Sequence, residues 1–231
     1  VLITHGLTPQ EIFFYRFLIA YLGIWVISPK RLFTNNWQDE LWLVAGGIFG
    51  GSLYFFTENT ALGITQASNV SFIICTAPLL TTILSLLFYK SEKASKGLIY
   101  GSLLALMGVG LIVFNGSFVL KISPIGDLLT LLAALSWAFY SLIIKKMARR
   151  YPTVLITRKI FFYGVLTILP AFLLHPLQPD TAVLLQPAVL FNLLFLAVLA
   201  SLICYVLWNV VLKQLGTVRA SNYIYLNPLS R

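Results

Sequence analysis

The chain has 231 residues, of which 59% are hydrophobic and only 10% are charged. Soluble domains carry about 25% charged residues, so this composition excludes an ordinary soluble domain and indicates lipid as the surrounding solvent. The formal net charge is +9. Because the basic residues stand between apolar runs, this charge favours the cytoplasmic loops of a membrane protein over a nucleic-acid partner. Cys75 and Cys204 show no disulfide framework or metal-ligand spacing, and no cofactor is predicted.

Apolar runs predict a polytopic, all-α membrane helix bundle, since a helix crosses the hydrocarbon core with about 20 apolar residues. Eight runs are predicted as helices, the last one short: 11–28, 41–62, 66–89, 98–115, 125–144, 157–175, 189–212 and 217–229. The chain does not begin with Met, and residues 1–6 read as the tail of another helix. We therefore expect a fragment that lacks one helix at each end.

Helix-start signals account for most of the acidic residues. Thr8 to Glu11 form a capping box, Ser123 to Asp127 repeat its logic, and Asn36 is a weaker cap. Six of the seven acids then fall near helix starts or in loops: Glu11, Asp39, Glu40, Glu92, Asp127 and Asp180. Only Glu58 lacks such an explanation.

The basic residues predict the orientation of the bundle. Eleven of them fall in alternate loops, whereas Lys121 stands by itself in the intervening ones. The eleven are Lys30, Arg31, Lys90, Lys93, Lys96, Lys145, Lys146, Arg149, Arg150, Lys213 and Arg219. By the positive-inside rule these loops are cytoplasmic, so the first run descends from outside to inside.

An internal repeat is visible in two short stretches. The sequence ALGITQASN at 61–69 resembles QLGTVRASN at 214–222, and the predicted orientation places the first turn outside and the second inside. This pattern predicts an inverted five-plus-five helix repeat, with one unit at 1–116 and the other at 117–231. Inverted repeats are how many secondary transporters are built, with substrate held near the midplane between the repeats.

The order of the motifs resembles the EamA domains of the drug/metabolite transporter superfamily. The residues that carry the resemblance are FFYRFLIA (13–20), TENTALGITQASNVSFIICTAPLL (57–80), GSLLALMGVGLIVFNG (101–116), LLAALSWAFYSLIIKK (131–146) and YVLWNVVLKQLGTVRASNYIYLNPL (205–229). The resemblance implies ten helices in two inverted repeats and the export, less often uptake, of small metabolites. This chain departs from it in lacking the first and last helices.

Arg16 and Glu58 are the first candidate site residues. Each lies about four residues from the outer end of its helix, so both sit roughly 6 Å below that end at 1.5 Å per residue. An ion pair inside the membrane costs less than either charge alone. The pair is an outer gate or a substrate contact, a static clasp between helices, or two side chains that reach separately to the headgroups.

The repeat places Lys159 at the position of Arg16, but on the cytoplasmic side. Val211 stands where Glu58 would be, and Asn209 is a neighbouring polar group. We therefore expect the charge pair on the outer side only. Further candidates for substrate binding or gating are Tyr54, Asn59, Asn69, Pro78, Trp137, Tyr140, Trp208, Asn222 and Asn227.

These further candidates have structural alternatives. Pro78 and Pro228 are expected to bend their helices, either around a central cavity or as packing kinks. The asparagines bind substrate or hold helices together. Trp137, Tyr140 and Trp208 are favoured as cavity residues, because Tyr and Trp combine an apolar body with a polar tip. The glycines of AGGIFGGS at 45–52 indicate close helix packing.

The function predicted from the sequence is a secondary transporter, an exporter of small organic metabolites in the inner membrane that works by alternating access. The expected partners are the lipid bilayer and a small-molecule substrate, with no nucleic acid, and a homodimer is allowed. The alternatives are a non-transporting scaffold and a membrane-embedded enzyme, although no catalytic constellation appears. No Walker motif occurs, which disfavours ATP-driven transport by this chain alone.

Overall fold

The structure is a computed structural model that describes residue 2 and residues 5–29, 33–34, 36–89, 96–114, 123–174, 176–177 and 181–225. Regular structure in this part of the chain is helical throughout. The helices are α1 (Pro9–Ile27), α2 (Trp37–Gly47), α3 (Leu53–Ile64), α4 (Ala67–Ile74), α5 (Ala77–Phe88), α6 (Lys96–Phe114), α7 (Pro124–Met147), α8 (Thr153–Ile168), α9 (Ala171–Leu174), α10 (Thr181–Leu184), α11 (Pro187–Leu194), α12 (Cys204–Leu215) and α13 (Thr217–Ser221).

Five helical stretches of the described chain are long and apolar enough to cross a membrane: Pro9–Ile27, Ala67–Phe88, Pro124–Met147, Thr153–Leu173 and Pro187–Leu215. The stretches at 37–64 and 96–114, also predicted as spans, are helical but are not among these five. Large apolar side chains remain exposed on the outer faces, for example Leu111 at 70% and Phe191 at 71%. An all-α, multi-pass membrane bundle is thereby confirmed.

All three predicted helix starts are found. Thr8 and Glu11 form the capping box at the start of α1, and the Asn36 side chain accepts from Gln38 N at the start of α2. Ser123 is the N-cap residue of α7, with Pro124 and Asp127 in the first turn, but its side chain makes no capping hydrogen bond. Its Oγ instead donates to the carbonyl of Ile64, which ties the start of α7 to the end of α3.

Two helices contain π-helical segments. Ile48–Ser52 joins α2 to α3, and Phe195–Ile203 joins α11 to α12, so each pair forms one continuous helix. A π-helical segment adds a residue to the turn and often marks a functional site. In the first segment, the Gly50 carbonyl accepts a hydrogen bond from the Tyr205 hydroxyl, which links the two continuous helices.

The run at 66–89 is two helices rather than one bent helix. The α-helix is interrupted at Cys75 and Thr76, and Pro78 lies in the first turn of α5. The prediction that Pro78 falls mid-helix is therefore wrong, and the reason is that Pro fits the first helical turn, where no backbone N–H donor is needed. The counterpart Pro228 lies outside the described residues.

The main core lies where α1, α7, α8 and α12 meet. Phe17 is fully buried, with its ring centroid 5.0 Å from that of Phe161 and 5.7 Å from that of Tyr205. Glycines next to the first π-helical segment allow α2 to approach α8 closely, since a Cβ at Gly47 would lie 2.5 Å from Tyr163 Cβ. These contacts agree with the packing role inferred for the glycine stretch.

Candidate functional site

A cavity of about 340 Å³ lies between the helices of both predicted repeats. Its wall is formed by α1, α3, the break between α4 and α5, α7, the second continuous helix and the segment after α13. Eight of its side chains bring charge or aromatic rings to the wall: Arg16, Tyr54, Phe55, Glu58, Trp137, Tyr205, Trp208 and Tyr223. A concave, mostly apolar space with a few polar groups is the usual form of a small-molecule site.

Arg16 is buried in the wall of this cavity, with 7% of its surface exposed. Its Nε donates to Ser201 Oγ at 2.9 Å, and its guanidinium carbon lies 4.2 Å from the centroid of the Phe55 ring. The hydrogen bond fixes one edge of the guanidinium, and the Phe55 ring covers one of its faces. Since an arginine has five N–H donors, other edges of the guanidinium remain to recognise an anionic group.

Glu58 lines the same cavity and acts electrostatically on Arg16. The structure thus brings the two predicted residues to one site, while their direct pairing stays a prediction. Asn59, the next residue, does not line the cavity. Its Nδ2 is buried and has no hydrogen-bond partner within the part of the chain that the structure describes.

Aromatic rings form one side of the cavity. The ring centroid of Trp137 lies 5.0 Å from that of Tyr54 and 5.7 Å from that of Trp208. The indole Nε1 atoms of Trp137 and Trp208 are buried without a hydrogen-bond partner among the described residues. A buried indole N–H usually has a partner, so within the described part of the chain the side chains of Trp137 and Trp208 each carry an unsatisfied donor beside the cavity.

Tyr140 does not line the cavity, which corrects the expectation for this residue. It is fully buried behind Trp137, and its hydroxyl donates to Asn209 Oδ1 at 2.8 Å. Asn209 Nδ2 in turn donates to Thr157 Oγ1 at 2.9 Å. This chain of hydrogen bonds joins α7, α12 and α8 in a fully buried layer, which we call the amide layer.

Lys159 has an acidic partner, so the expectation of a charge pair on the outer side only is wrong. Lys159 is fully buried, and its Nζ donates to Glu40 Oε1, which also accepts from the Tyr163 hydroxyl. Glu40 additionally accepts from Thr34 N at 3.0 Å. The comparison of repeats missed Glu40 because the acid comes from the first half of the chain, not from the position equivalent to Glu58.

A second acid lies beside this cluster, at the start of α2. Asp39 accepts from Arg150 at 2.7 Å and from the Tyr151 hydroxyl at 2.9 Å. Desolvation raises the pKa of Asp39, but these hydrogen bonds outweigh it and hold the pKa below its ordinary value. The start of α2, on the predicted cytoplasmic side, is thus tied to α8 through Glu40 and to the turn after α7 through Asp39.

Three further predicted residues lie outside the cavity. Asn69 is buried on α4, Pro78 is buried in α5, and Asn222 accepts from Ser102 Oγ at 3.3 Å. Asn227 lies outside the described residues. Holding helices together is the role that fits the Ser102 contact of Asn222.

Sequence reasoning did not select several residues of the cavity wall: Phe55, Ile74, Ala77, Ala134, Ala200, Cys204, Tyr205, Tyr223 and Ile224. Most are small or apolar, and nothing in a uniformly apolar sequence distinguishes them from residues that face lipid. Ile74 and Ala77 could have been predicted, because they lie on either side of the helix break that comes just before Pro78.

These features define a multi-pass membrane protein with a central solute-sized cavity. A model of the EamA-like transporter family matches residues 2–114 and again residues 124–230. The chain belongs to the EamA-like transporter family, and it is a membrane transporter.

Individual relatives agree with this assignment. The chain is 30% identical to an uncharacterized transporter of Archaeoglobus fulgidus over 96% of its own length and 77% of the relative. It is 26% identical to a protein of Salmonella typhimurium named a probable amino-acid metabolite efflux pump, over 97% and 76% of the two lengths. One crystal structure, 19% identical, has the same fold with a TM-score of 0.76, and the match covers 97% of this chain and 76% of that one.

Proposed function

We propose that this protein is a secondary transporter that exports small zwitterionic metabolites with an apolar or aromatic part across the inner membrane. The observation that carries the proposal is the central cavity, because one cation, one anion and several aromatic rings line a single space of about 340 Å³. That volume lies at the small end of ligand sites, which suits a metabolite rather than a large drug.

The wall offers a contact for each part of such a solute. Arg16 would bind a carboxylate through its remaining N–H donors, and Glu58 would bind an ammonium group. Trp137, Trp208 and Tyr54 would contact the apolar part, with the indole N–H groups as additional donors. Relatives named as probable amino-acid metabolite efflux pumps support this chemistry.

Alternating access between two inverted repeats is the proposed mechanism. In this structure, two polar layers lie on the predicted cytoplasmic side: the amide layer and the cluster of Glu40, Lys159 and Tyr163. The cluster joins α2 of the first half to α8 of the second, whereas the amide layer joins α7, α8 and α12 within the second half. We propose that the cluster of Glu40, Lys159 and Tyr163 separates when the cavity opens to the cytoplasm.

Solute flux in proteoliposomes made with the full-length protein tests this proposal. Amino acids with aromatic side chains should be transported faster than their amides or their decarboxylated amines, which lack the carboxylate. The variant Arg16→Gln should reduce this flux at least tenfold, since about 1.4 kcal/mol of lost recognition equals a factor of ten. Arg219→Gln, an exposed arginine outside the cavity, is the matched control and should keep normal flux.

Folding must be checked in the same samples by gel filtration and thermal unfolding. Normal flux of Arg16→Gln, or equal transport of the amino acids and their amides, would contradict the assigned substrate chemistry. Absence of flux for a broad metabolite panel with well-folded protein would contradict transport and favour a scaffold. Comparison of vesicles loaded inside with vesicles supplied outside, at known protein orientation, decides between export and uptake.

A further inference from the structure

A second cavity, of about 660 Å³, lies on the outside of the bundle near the predicted cytoplasmic surface. We call it the peripheral groove. It lies between α2, the end of α5 and the last two turns of α7, and shares no lining residue with the central cavity. The peripheral groove is therefore separate from the central cavity.

The floor of the peripheral groove is apolar and aromatic. Trp42, Ala45 and Phe49 come from the first continuous helix, and Phe88 and Phe139 face them from α5 and α7. Phe88 is 65% exposed and Trp42 is 42% exposed, so the groove is not covered by the described parts of the bundle. In a membrane, an exposed apolar groove of this kind contacts acyl chains.

The rim of the groove is basic. Lys146, Arg149 and Arg150 line it, and none of its described lining residues is acidic. Lys146 Nζ lies 3.7 Å from the Trp42 ring centroid, and neighbouring Lys145 Nζ lies 4.4 Å from that of Tyr89. These cation–π contacts hold ammonium groups at the mouth of the groove while N–H donors remain for a phosphate.

One carboxylate offsets part of this charge. Asp39 binds Arg150 at 2.7 Å and acts more weakly on Lys146, so among the described rim residues Arg149 and Lys146 keep positive charge that Asp39 does not bind directly. From Phe139 to Lys146, two turns of α7 separate the floor from the rim, which is about 10 Å at 1.5 Å per residue. This spacing places positive charge at headgroup level and the aromatic floor at the level of the upper acyl chain.

We propose that the peripheral groove binds an anionic phospholipid of the cytoplasmic leaflet. Its phosphate lies between Lys146 and Arg149, and one acyl chain lies along Trp42, Phe49 and Phe139. Charge complementarity selects the anionic lipid, because basic pockets between helices on the cytoplasmic side attract such headgroups. A zwitterionic lipid offers the same acyl chain but no net charge for the rim.

Native mass spectrometry of the full-length protein tests this site, with dioleoyl phosphatidylglycerol compared to dioleoyl phosphatidylcholine. The wild type should bind phosphatidylglycerol at least fivefold more tightly. The double variant Lys146→Gln/Arg149→Gln should weaken phosphatidylglycerol binding about tenfold or more, as expected for two cations near a lipid surface. The double variant Lys213→Gln/Arg219→Gln removes equal charge from the same predicted surface outside the groove and should bind normally.

A further variant, Ala45→Trp, fills the floor and leaves every charge in place. It should weaken phosphatidylglycerol binding as well, because binding in the groove needs the floor whereas general attraction to a basic surface does not. If the first double variant fails to fold, the binding of Ala45→Trp tests the proposal by itself. Equal binding of the two lipids would overturn the proposal. So would equal loss in both double variants, or a wild-type dimer that forms by displacing phosphatidylglycerol, since a second copy would then occupy the groove.

Discussion

At the residue scale, two of the three acids of the first continuous helix, Glu40 and Glu58, lie near its opposite ends. From Glu40 to Glu58 the helix rises about 27 Å at 1.5 Å per residue, close to the thickness of the hydrocarbon core. Glu40 binds the buried Lys159, and Glu58 shares the cavity with the buried Arg16. The two cations occupy equivalent positions in the predicted repeats, so one helix pairs a carboxylate with one cation and places another in the same cavity as the second.

We expect Glu40→Leu to destabilise the protein by about 3 kcal/mol, because it leaves the fully buried Lys159 ammonium without its carboxylate. The double variant Glu40→Leu/Lys159→Met should regain most of that loss, since no charge is then buried. Thermal unfolding in detergent, followed by gel filtration, measures both variants. A double variant as unstable as the single one would show that the charge pair is not the cause.

At the element scale, close contacts accompany the π-helical segments. A Cβ at Gly50 would lie 2.1 Å from a Tyr140 ring carbon, and one at Gly51 would lie 3.2 Å from Phe17 Cε1. The first segment therefore sits directly against the core and the amide layer. The extra residue of a π-turn shifts the register of the helix, and here it exposes the Gly50 carbonyl to the Tyr205 hydroxyl.

Gly50→Ala should cost about 1 to 3 kcal/mol, the usual penalty of inserting a methyl group into a filled core. Gly101→Ala is the matched control, because nothing lies within 4 Å of a Cβ at this helical position. This control should be neutral or stabilising by up to about 1 kcal/mol, since Ala favours a helix over Gly. Equal unfolding temperatures for the two variants would contradict the close packing of the segment.

At the scale of the whole molecule, the predicted orientation and the predicted repeat together place two similar turns on opposite sides of the membrane. Gln66 and Gln214 belong to the two similar stretches, and both are exposed in the structure. The positive-inside rule places the first outside and the second inside the cell. Only an inverted repeat puts two such similar turns on opposite sides of the membrane.

In a cysteine-free background with Cys75→Ala and Cys204→Ser, we expect Gln66→Cys to react with an impermeant thiol reagent in intact cells. Gln214→Cys should react only after the cells are permeabilised. The two variants are controls for each other, because each replaces the same residue type at an exposed position beside one of the two similar turns. Labelling of both from the same side would disprove the inverted arrangement.

The extent of sequence prediction differs between fold and site. The helical class, the family and three helix starts were predicted correctly, because hydrophobic runs and helix-start signals are local. Arg16, Glu58, Trp137 and Trp208 were selected because charge and aromatic groups are unusual inside apolar runs. The break before Pro78 was missed as a helix end, since a proline is compatible with either a kink or a first turn.

By itself, the sequence determined what depends on the order of residues along one chain. It predicted an apolar all-α bundle and its orientation, and it singled out Glu58 as an acid inside an apolar run. Only the tertiary structure decided which helices meet. It paired Glu40 with Lys159, placed Tyr140 behind the cavity rather than in its wall, and joined Asn209 to Thr157. The physical reason is that hydropathy sets which segments enter lipid, whereas contacts between helices depend on side-chain packing that brings distant residues together.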